Sequence, residues 1–369
     1  MTVMPLTPPS EPSLELDMKN GSVQDPDYPY PCPWIETPLL ESPVLSKLAG
    51  CKIFLKMENF QPSGSFKSRG IGNLVRTAVE KAPSDTPLHF YASSGGNAGL
   101  ACVTASTTLR QKSTVVVPFT TKPAMIKKMI DAGATKVIPH GNTIADADLY
   151  LRENLLPKDP FGIYVPPFDH QDIWNGAQTL IEECYKELNN EKPDHIVCSV
   201  GGGGLLIGIC QGLDNISKKQ SKQFSPHSFN LQSQSRKETQ VIGVETIGCE
   251  SFYKAIKAKS LITLPGISSI ATSLGCVRIA KKALEYGLRS NVHSTLVSDK
   301  EAIEACIEFA EDHKVIVEPA CGATLALIYS GRLQQVLKVK QDDKMVLVVC
   351  GGSNISVEMM YNWKKEFDL

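Results

Sequence analysis

The chain has 369 residues, 42% hydrophobic and 21% charged, with a formal net charge of −1, which is the make-up of a globular chain long enough for two domains. Near-neutral charge gives no electrostatic case for nucleic acid or an anionic membrane as partner, and no apolar run approaches the ~20 residues that cross a bilayer. Eleven cysteines lie scattered from Cys32 to Cys350 without a CxxC pair or zinc spacing, so they read as small buried hydrophobes of a reducing compartment.

In chain order, residues 1–32 are rich in Pro, Ser and acidic residues, with Lys19 the only basic one. They lack both the apolar stretch of a signal peptide and the arginines of a transit peptide. A flexible tail and, by default, a cytoplasmic address are expected. Lys52–Met57 alternates like a strand, and Ile71, Leu74, Val75, Ala78, Val79 and Ala82 recur at helical spacing. Leu88–Ala92, Ser113–Val117 and Lys136–Ile138 read as strands, with helices through Leu109, over Ala124–Ala132 and over Ile144–Leu155. The rhythm resumes with a helix from Ile173 toward Leu188, a strand His195–Val200 and a helix from Leu205. A polar stretch from Asp214 to Gln240 buries little and is expected to be a mobile surface insertion. Strand Val241–Glu245, an S-x-x-E capping box at Ser298 and Glu301, and strand Met345–Val349 complete the pattern. Strands alternating with helices at this pace predict a mainly parallel α/β sheet covered on both faces.

Four short segments stand out. SGSFKSRG (Ser63–Gly70) places Lys67 among small residues at the start of a helix. SSGGNAG (Ser93–Gly99), SVGGGG (Ser199–Gly204) and VCGGSN (Val349–Asn354) are glycine-rich turns at strand ends, where parallel sheets bind ligands. Glycine lets backbone N–H groups approach an anion, and the following helix N-terminus favours negative charge. Gly201–Gly204 therefore reads as a cradle for a phosphate monoester. It is neither GxGxxG nor a Walker loop, so a nucleotide is poorly supported. An amine-bearing side chain and a phosphate cradle together are what pyridoxal phosphate requires.

In order and spacing, GSFKSRG, SSGGNAG, GGGGL and CGGSN resemble the fold-type-II pyridoxal-phosphate enzymes, in particular the L-serine dehydratase/L-threonine deaminase branch, from about Pro33 onward. The resemblance implies a tryptophan synthase β-like fold of two three-layer αβα domains. A small domain, 61–168, would be inserted into a large one, 33–60 and 169–369, with the cofactor between them. It makes Lys67 the Schiff-base lysine, packed beside Phe66, and groups Ser94 with it as catalytic. Ser94, Gly95, Gly96, Asn97 and Ala98 would hold the substrate carboxylate, with Asn97 also bonded to the 3′-oxygen of the ring. Gly201, Gly202, Gly203, Gly204 and Leu205 would hold the phosphate, and Cys350 would face the ring nitrogen. Gly201, Glu245, Cys249, Ser251, Leu274 and Cys276 resemble the family's cation site, usually potassium. A homodimer acting on L-serine and L-threonine is implied.

Chemistry refines these roles. A thiol beside the ring nitrogen leaves it neutral and weakens the electron sink, which favours β-elimination over transamination. In the implied reaction the freed Lys67 amine takes the α-proton. Racemases of this fold carry a serine where this chain has Gly95, so racemization is expected to be minor. Ala98 and Cys350 lean toward serine dehydratase rather than threonine deaminase. Gly95, alanine in liver-type serine dehydratases, is expected to leave the substrate loop looser, with extra room beside the substrate. Serine ahead of threonine is the expected preference. The other readings are a pseudoenzyme, disfavoured by the intact Lys67, and a nucleotide-binding oxidoreductase, favoured only by generic glycine turns.

Overall fold

A computed structural model describes residues 31–223 and 238–369. Ten strands arise where β-branched and apolar residues cluster: β1 Leu39–Glu41, β2 Lys52–Lys56, β3 His89–Ala92, β4 Lys112–Val117, β5 Lys136–Pro139, β6 Gly162–Tyr164, β7 His195–Ser199, β8 Gln240–Thr246, β9 Val292–Val297 and β10 Lys344–Val348. They form a six-stranded sheet, order β1-β2-β10-β7-β8-β9, and a four-stranded sheet, order β5-β4-β3-β6. Every pairing is parallel except that of β1 with β2. The smaller sheet is made entirely of chain that leaves the larger one after β2 and returns before β7.

Strand β7 is buried along its whole length, as a central parallel strand with both faces covered must be. Its Ile196 lies beside Val346 of β10 on one edge and Val241 of β8 on the other. Helices Gln171–Glu187 and Gly204–Gln223 cover one region of this core. Helix Pro319–Tyr329, buried from Pro319 through Ile328, penetrates it. No helix among the described residues is long and apolar enough to cross a membrane.

Two sequence expectations need correction. The polar stretch from Asp214 does not leave the fold at once, because helix Gly204–Gln223 continues through it. Leu213 and Ile216 are buried on its inner face, Asp214 pairs with Arg289 at 2.8 Å, and Gln220 donates to the Tyr185 hydroxyl at 3.1 Å. Residues 224–237 of the expected insertion, and residues 1–30 of the expected tail, lie outside the described part of the chain. The helix expected over Ile144–Leu155 is α-helical only to Tyr150 and then widens into a π turn over Leu151–Leu155. Strands β1, β6 and β9 were not expected; β1 and β6 are only three residues long and carry too little pattern to be seen in the sequence.

Candidate active site

Lys67 opens helix Lys67–Lys81, with Phe66 at its N-cap. The helix is anchored by Arg69, which is fully buried. The Arg69 guanidinium donates to Glu58 Oε1 and Oε2, each at 2.7 Å, and to Glu183 Oε2 at 2.7 Å. Lys56 Nζ joins the same cluster, 2.8 Å from Glu183 and 2.7 Å from Glu187. The first turn of this helix is thereby fixed to β2, to the short turn after it, and to helix Gln171–Glu187.

From that anchored turn, the partly buried Lys67 reaches across to donate to the Pro167 carbonyl at 2.6 Å, where the chain returns from the small sheet to the large one. Its Nζ lies 5.3 Å from the centre of the Phe66 ring. Burial pushes its pKa down to about 8, opposed by the negative charge the nearby Cys276 would carry when ionised. Phe66, Lys67, Phe168, Gly204 and Leu205 line one small cavity, so the lysine and the glycine loop expected to hold phosphate share a wall.

That loop is built for an anion. Gly203 has φ +93°, and a Cβ there would lie 2.4 Å from the Ala283 Cβ, so only glycine follows this path without strain. The loop feeds the N-terminus of helix Gly204–Gln223, whose first amides have no intrahelical acceptor. Ile207 is the first to bond back, to the Gly203 carbonyl at 2.9 Å. Among the described residues, the N–H groups of Gly202, Gly203, Gly204 and Leu205 donate to no backbone carbonyl. Converging donors at a helix N-terminus fit a phosphate group.

The other turns close around the same place. The Phe66 N–H donates to the Cys350 carbonyl at 3.2 Å, and the Gly352 N–H to the Gly64 carbonyl at 2.9 Å. Cys350 is buried at the end of β10; its neighbour Cys321 has its thiol pKa pushed well up, by burial first and then by Cys350. Asn97 is buried; its Oδ1 accepts the Ser353 N–H at 2.9 Å, and its Nδ2 donates to Glu318 Oε1 at 2.8 Å and more weakly to Ser273 Oγ at 3.3 Å. Ser94 Oγ accepts the Gly96 N–H at 3.3 Å. Ala98 is buried in the first turn of helix Asn97–Thr108.

Gly95 does not open extra room. A Cβ built on it would meet Thr121 Oγ1 at 2.4 Å and Cγ2 at 2.7 Å, so Thr121, from the loop after β4, already fills the space that glycine vacates.

The residues expected to hold a cation have these surroundings. Gly201 packs against Ser273 and Leu274. Both carboxylate oxygens of the buried Glu245 accept N–H groups of helix Ser251–Ala258, from Phe252 at 2.8 Å and Tyr253 at 2.7 Å. Burial pushes the Glu245 pKa up to about 8 despite those bonds. The Ser251 hydroxyl is buried without a partner. Cys249 Sγ lies 4.0 Å from the Ala271 carbonyl, and the Cys276 thiol donates to the Arg278 carbonyl at 2.9 Å.

Sequence reasoning missed Glu318, Ser273, Ser353, Thr121 and Phe168. Only Glu318 had a usable signal, an acidic residue directly before a Pro-started helix that is otherwise apolar. Among the described residues, His195 pairs with Asp343 at 2.8 Å and His89 with Asp159 at 2.8 Å, both away from Lys67 and the glycine loop.

This arrangement of lysine, anion cradle and turns can be compared with known proteins. The family model for pyridoxal-phosphate dependent enzymes matches residues 33–351. The chain belongs to that family. It is 40% identical over 340 residues to an L-serine dehydratase/L-threonine deaminase of Bos taurus, covering 91% of this chain and 96% of the relative. To an L-serine dehydratase of Dictyostelium discoideum it is 37% identical over 332 residues, covering 88% of this chain and 89% of the relative. Among solved structures, an L-serine ammonia-lyase of the fungus Rhizomucor miehei superposes with a TM-score of 0.81 at 34% identity, covering 91% of this chain and 99% of that one. The fold is accordingly the fold-type-II arrangement, and the cradle at Gly201–Leu205 fits the phosphate of the family's cofactor.

Proposed function

We propose that this chain is a pyridoxal-phosphate-dependent L-serine dehydratase, releasing pyruvate and ammonia from L-serine by α,β-elimination and 2-oxobutyrate from L-threonine. The observation that carries the reading is that Lys67, its pKa lowered to about 8, packs around one small void with Gly204 and Leu205 of the glycine loop, whose N–H groups donate to no backbone carbonyl among the described residues. When bound, the cofactor supplies an aldehyde for that amine and a ring that draws electrons from the substrate Cα. The relatives named as serine dehydratases support the choice of substrate.

The chain's own residues then divide the work. Amides of Gly201–Leu205 would hold the phosphate, Phe66 would pack beside the ring, Asn97 Nδ2 would donate to the ring oxygen, and Cys350 would offer the ring nitrogen a thiol rather than a carboxylate. Ser94 and the turn through Gly95, Gly96, Asn97 and Ala98 hold the substrate carboxylate. Lys67, once its amine is free, accepts the Cα proton; a lowered pKa places the neutral amine within reach near pH 7 to 8. Gly95 offers no hydroxyl for delivering a proton to the other face, which keeps racemization minor.

A monovalent cation, potassium by preference, belongs beneath the phosphate loop, held by Glu245, the Ser251 hydroxyl and carbonyls near Gly201, Cys249, Leu274 and Cys276. A hard cation suits such oxygen donors, and its charge would offset that of the buried Glu245. The small domain comprises 61–168, and the large one 33–60 with 169–369. The free state of all eleven cysteines favours a cytoplasmic address. Exposed Leu40, Val44 and Leu48 offer an apolar face for a homodimer.

Purified protein supplied with cofactor and potassium is assayed for pyruvate from L-serine and 2-oxobutyrate from L-threonine. Both products, serine giving the faster rate, support the reading; D-serine as main product, or neither keto acid, overturns it.

A further inference from the structure

Glu318 is 4% exposed and takes no part in the chemistry outlined above. It sits at the N-cap of helix Pro319–Tyr329, yet its side chain does not cap that helix. Instead Oε1 accepts from Asn97 Nδ2 at 2.8 Å, across 221 positions of sequence, at the start of the helix that follows β3. Oε2 is 3.4 Å from the Asn354 N–H. The turn at Cys350–Asn354 makes way for it: Gly352 has φ +122°, and a Cβ there would lie 2.0 Å from the Glu318 carboxyl carbon. Burial raises the Glu318 pKa, and donors from Ser273, Asn354 and Asn97 oppose that rise.

The consequence falls on Asn97. Its Oδ1 is engaged by the Ser353 N–H, which can only donate, and its Nδ2 by a carboxylate oxygen, which accepts. A flipped amide would set oxygen against carboxylate and N–H against N–H, so the pair of contacts fixes the orientation. One Nδ2 hydrogen is left on the long 3.3 Å contact to Ser273 Oγ.

We propose that Glu318 is a positioning residue that holds the Asn97 amide with its second N–H turned toward the cofactor ring, using a bond that also ties helix Asn97–Thr108 to helix Pro319–Tyr329. This rests on the assignment of Asn97 to the ring oxygen. It requires an acceptor at the right distance, and the charge is secondary. Glu318→Gln retains an acceptor at that distance, whereas Glu318→Asp retains the charge but withdraws it by one methylene.

Holoenzymes of the parent, Glu318→Gln, Glu318→Asp and Asn97→Ala are compared by visible circular dichroism of the bound cofactor and by cofactor Kd. KM and kcat for L-serine are measured in parallel. Glu318→Gln is expected within about 3-fold of the parent in Kd, whereas Glu318→Asp loses about 10-fold, as for a buried donor left without its acceptor. Its dichroic band weakens in the way that of Asn97→Ala does, with kcat lowered and KM nearly unchanged. A Gln variant as poor as or poorer than the Asp variant, or an Asp variant with the parent's dichroism, overturns the proposal while Asn97→Ala still changes the band. If Asn97→Ala itself leaves the band and Kd unaltered, the assignment of Asn97 to the ring falls, and the positioning role with it.

Discussion

Replacing Arg69 by Met tests how the reactive lysine is held. The stem is kept and the guanidinium lost, together with its bonds to Glu58, Glu183 and Thr179. Glu183 retains Lys56 at 2.8 Å. Glu58, fully buried, keeps only the Thr37 hydroxyl at 2.6 Å and the Gln61 amide at 3.2 Å. Breaking a buried pair and stranding one charge costs ~3–5 kcal/mol; because Glu58 keeps two donors, the lower end, about 3 kcal/mol, is expected. Equilibrium urea denaturation at pH 7 measures it. Adding Glu58→Gln to Arg69→Met removes the stranded charge and should recover at least half of the loss. The difference from the parent should also shrink in acid. Burial acts to raise the Glu183 pKa, but the bonds from Arg69 and Lys56 hold it below its usual 4.5. Its stabilising contribution is therefore present above pH 4.5 and disappears as pH falls through the lower folded value. A loss under about 1 kcal/mol, the size of an exposed ion pair, would refute the view that this cluster anchors the first turn of the Lys67 helix.

Further outcomes are expected elsewhere in the site. In cofactor-stripped protein, Lys67 should react with an amine reagent with a midpoint near pH 8, where burial places its pKa; peptide mapping that finds it titrating with the surface lysines would contradict this. Its folded pKa lies below the ordinary 10.5, so its cost to stability is full below pH 8 and fades as pH rises toward 10.5. Gly203→Ala combines a positive φ with a 2.4 Å approach to Ala283 and should cost ~1–3 kcal/mol. Cofactor retention on gel filtration should fall along with the thermal midpoint. Potassium should raise the thermal midpoint of the parent and not that of Glu245→Gln, with the larger rise at pH 9 than at pH 6, because the Glu245 pKa is pushed up to about 8 and its buried charge is complete only above that. Equal potassium responses in the two proteins would remove Glu245 from the cation site.

Much of this site was legible because its parts are contiguous. The lysine with its small neighbours and the three glycine turns are each fewer than ten residues long, and the three turns sit at strand ends where parallel sheets bind ligands. The parallel architecture followed from the alternation of strand and helix. Glu318, Ser273 and Thr121 escaped because their meaning lies in partners brought close by the fold: Glu318 meets Asn97 across 221 positions. Thr121 fills the space beside Gly95, where local reasoning expected slack. Helix Gly204–Gln223 was cut short at Asp214 by polar composition, although Leu213 and Ile216, three apart, already marked an inner face. The Arg69 cluster is likewise invisible locally, since its carboxylates come from two separate segments.

The central assignment, Lys67 as the residue that carries the cofactor, is open to one direct measurement. Treating the holoenzyme with a hydride reductant makes the bond between the cofactor aldehyde carbon and a lysine nitrogen permanent, and peptide mass mapping then locates it. The expected result is a single adduct of cofactor mass on the peptide containing Lys67, lost in Lys67→Ala. An adduct on another lysine, or none in a protein that binds the cofactor, would contradict the assignment.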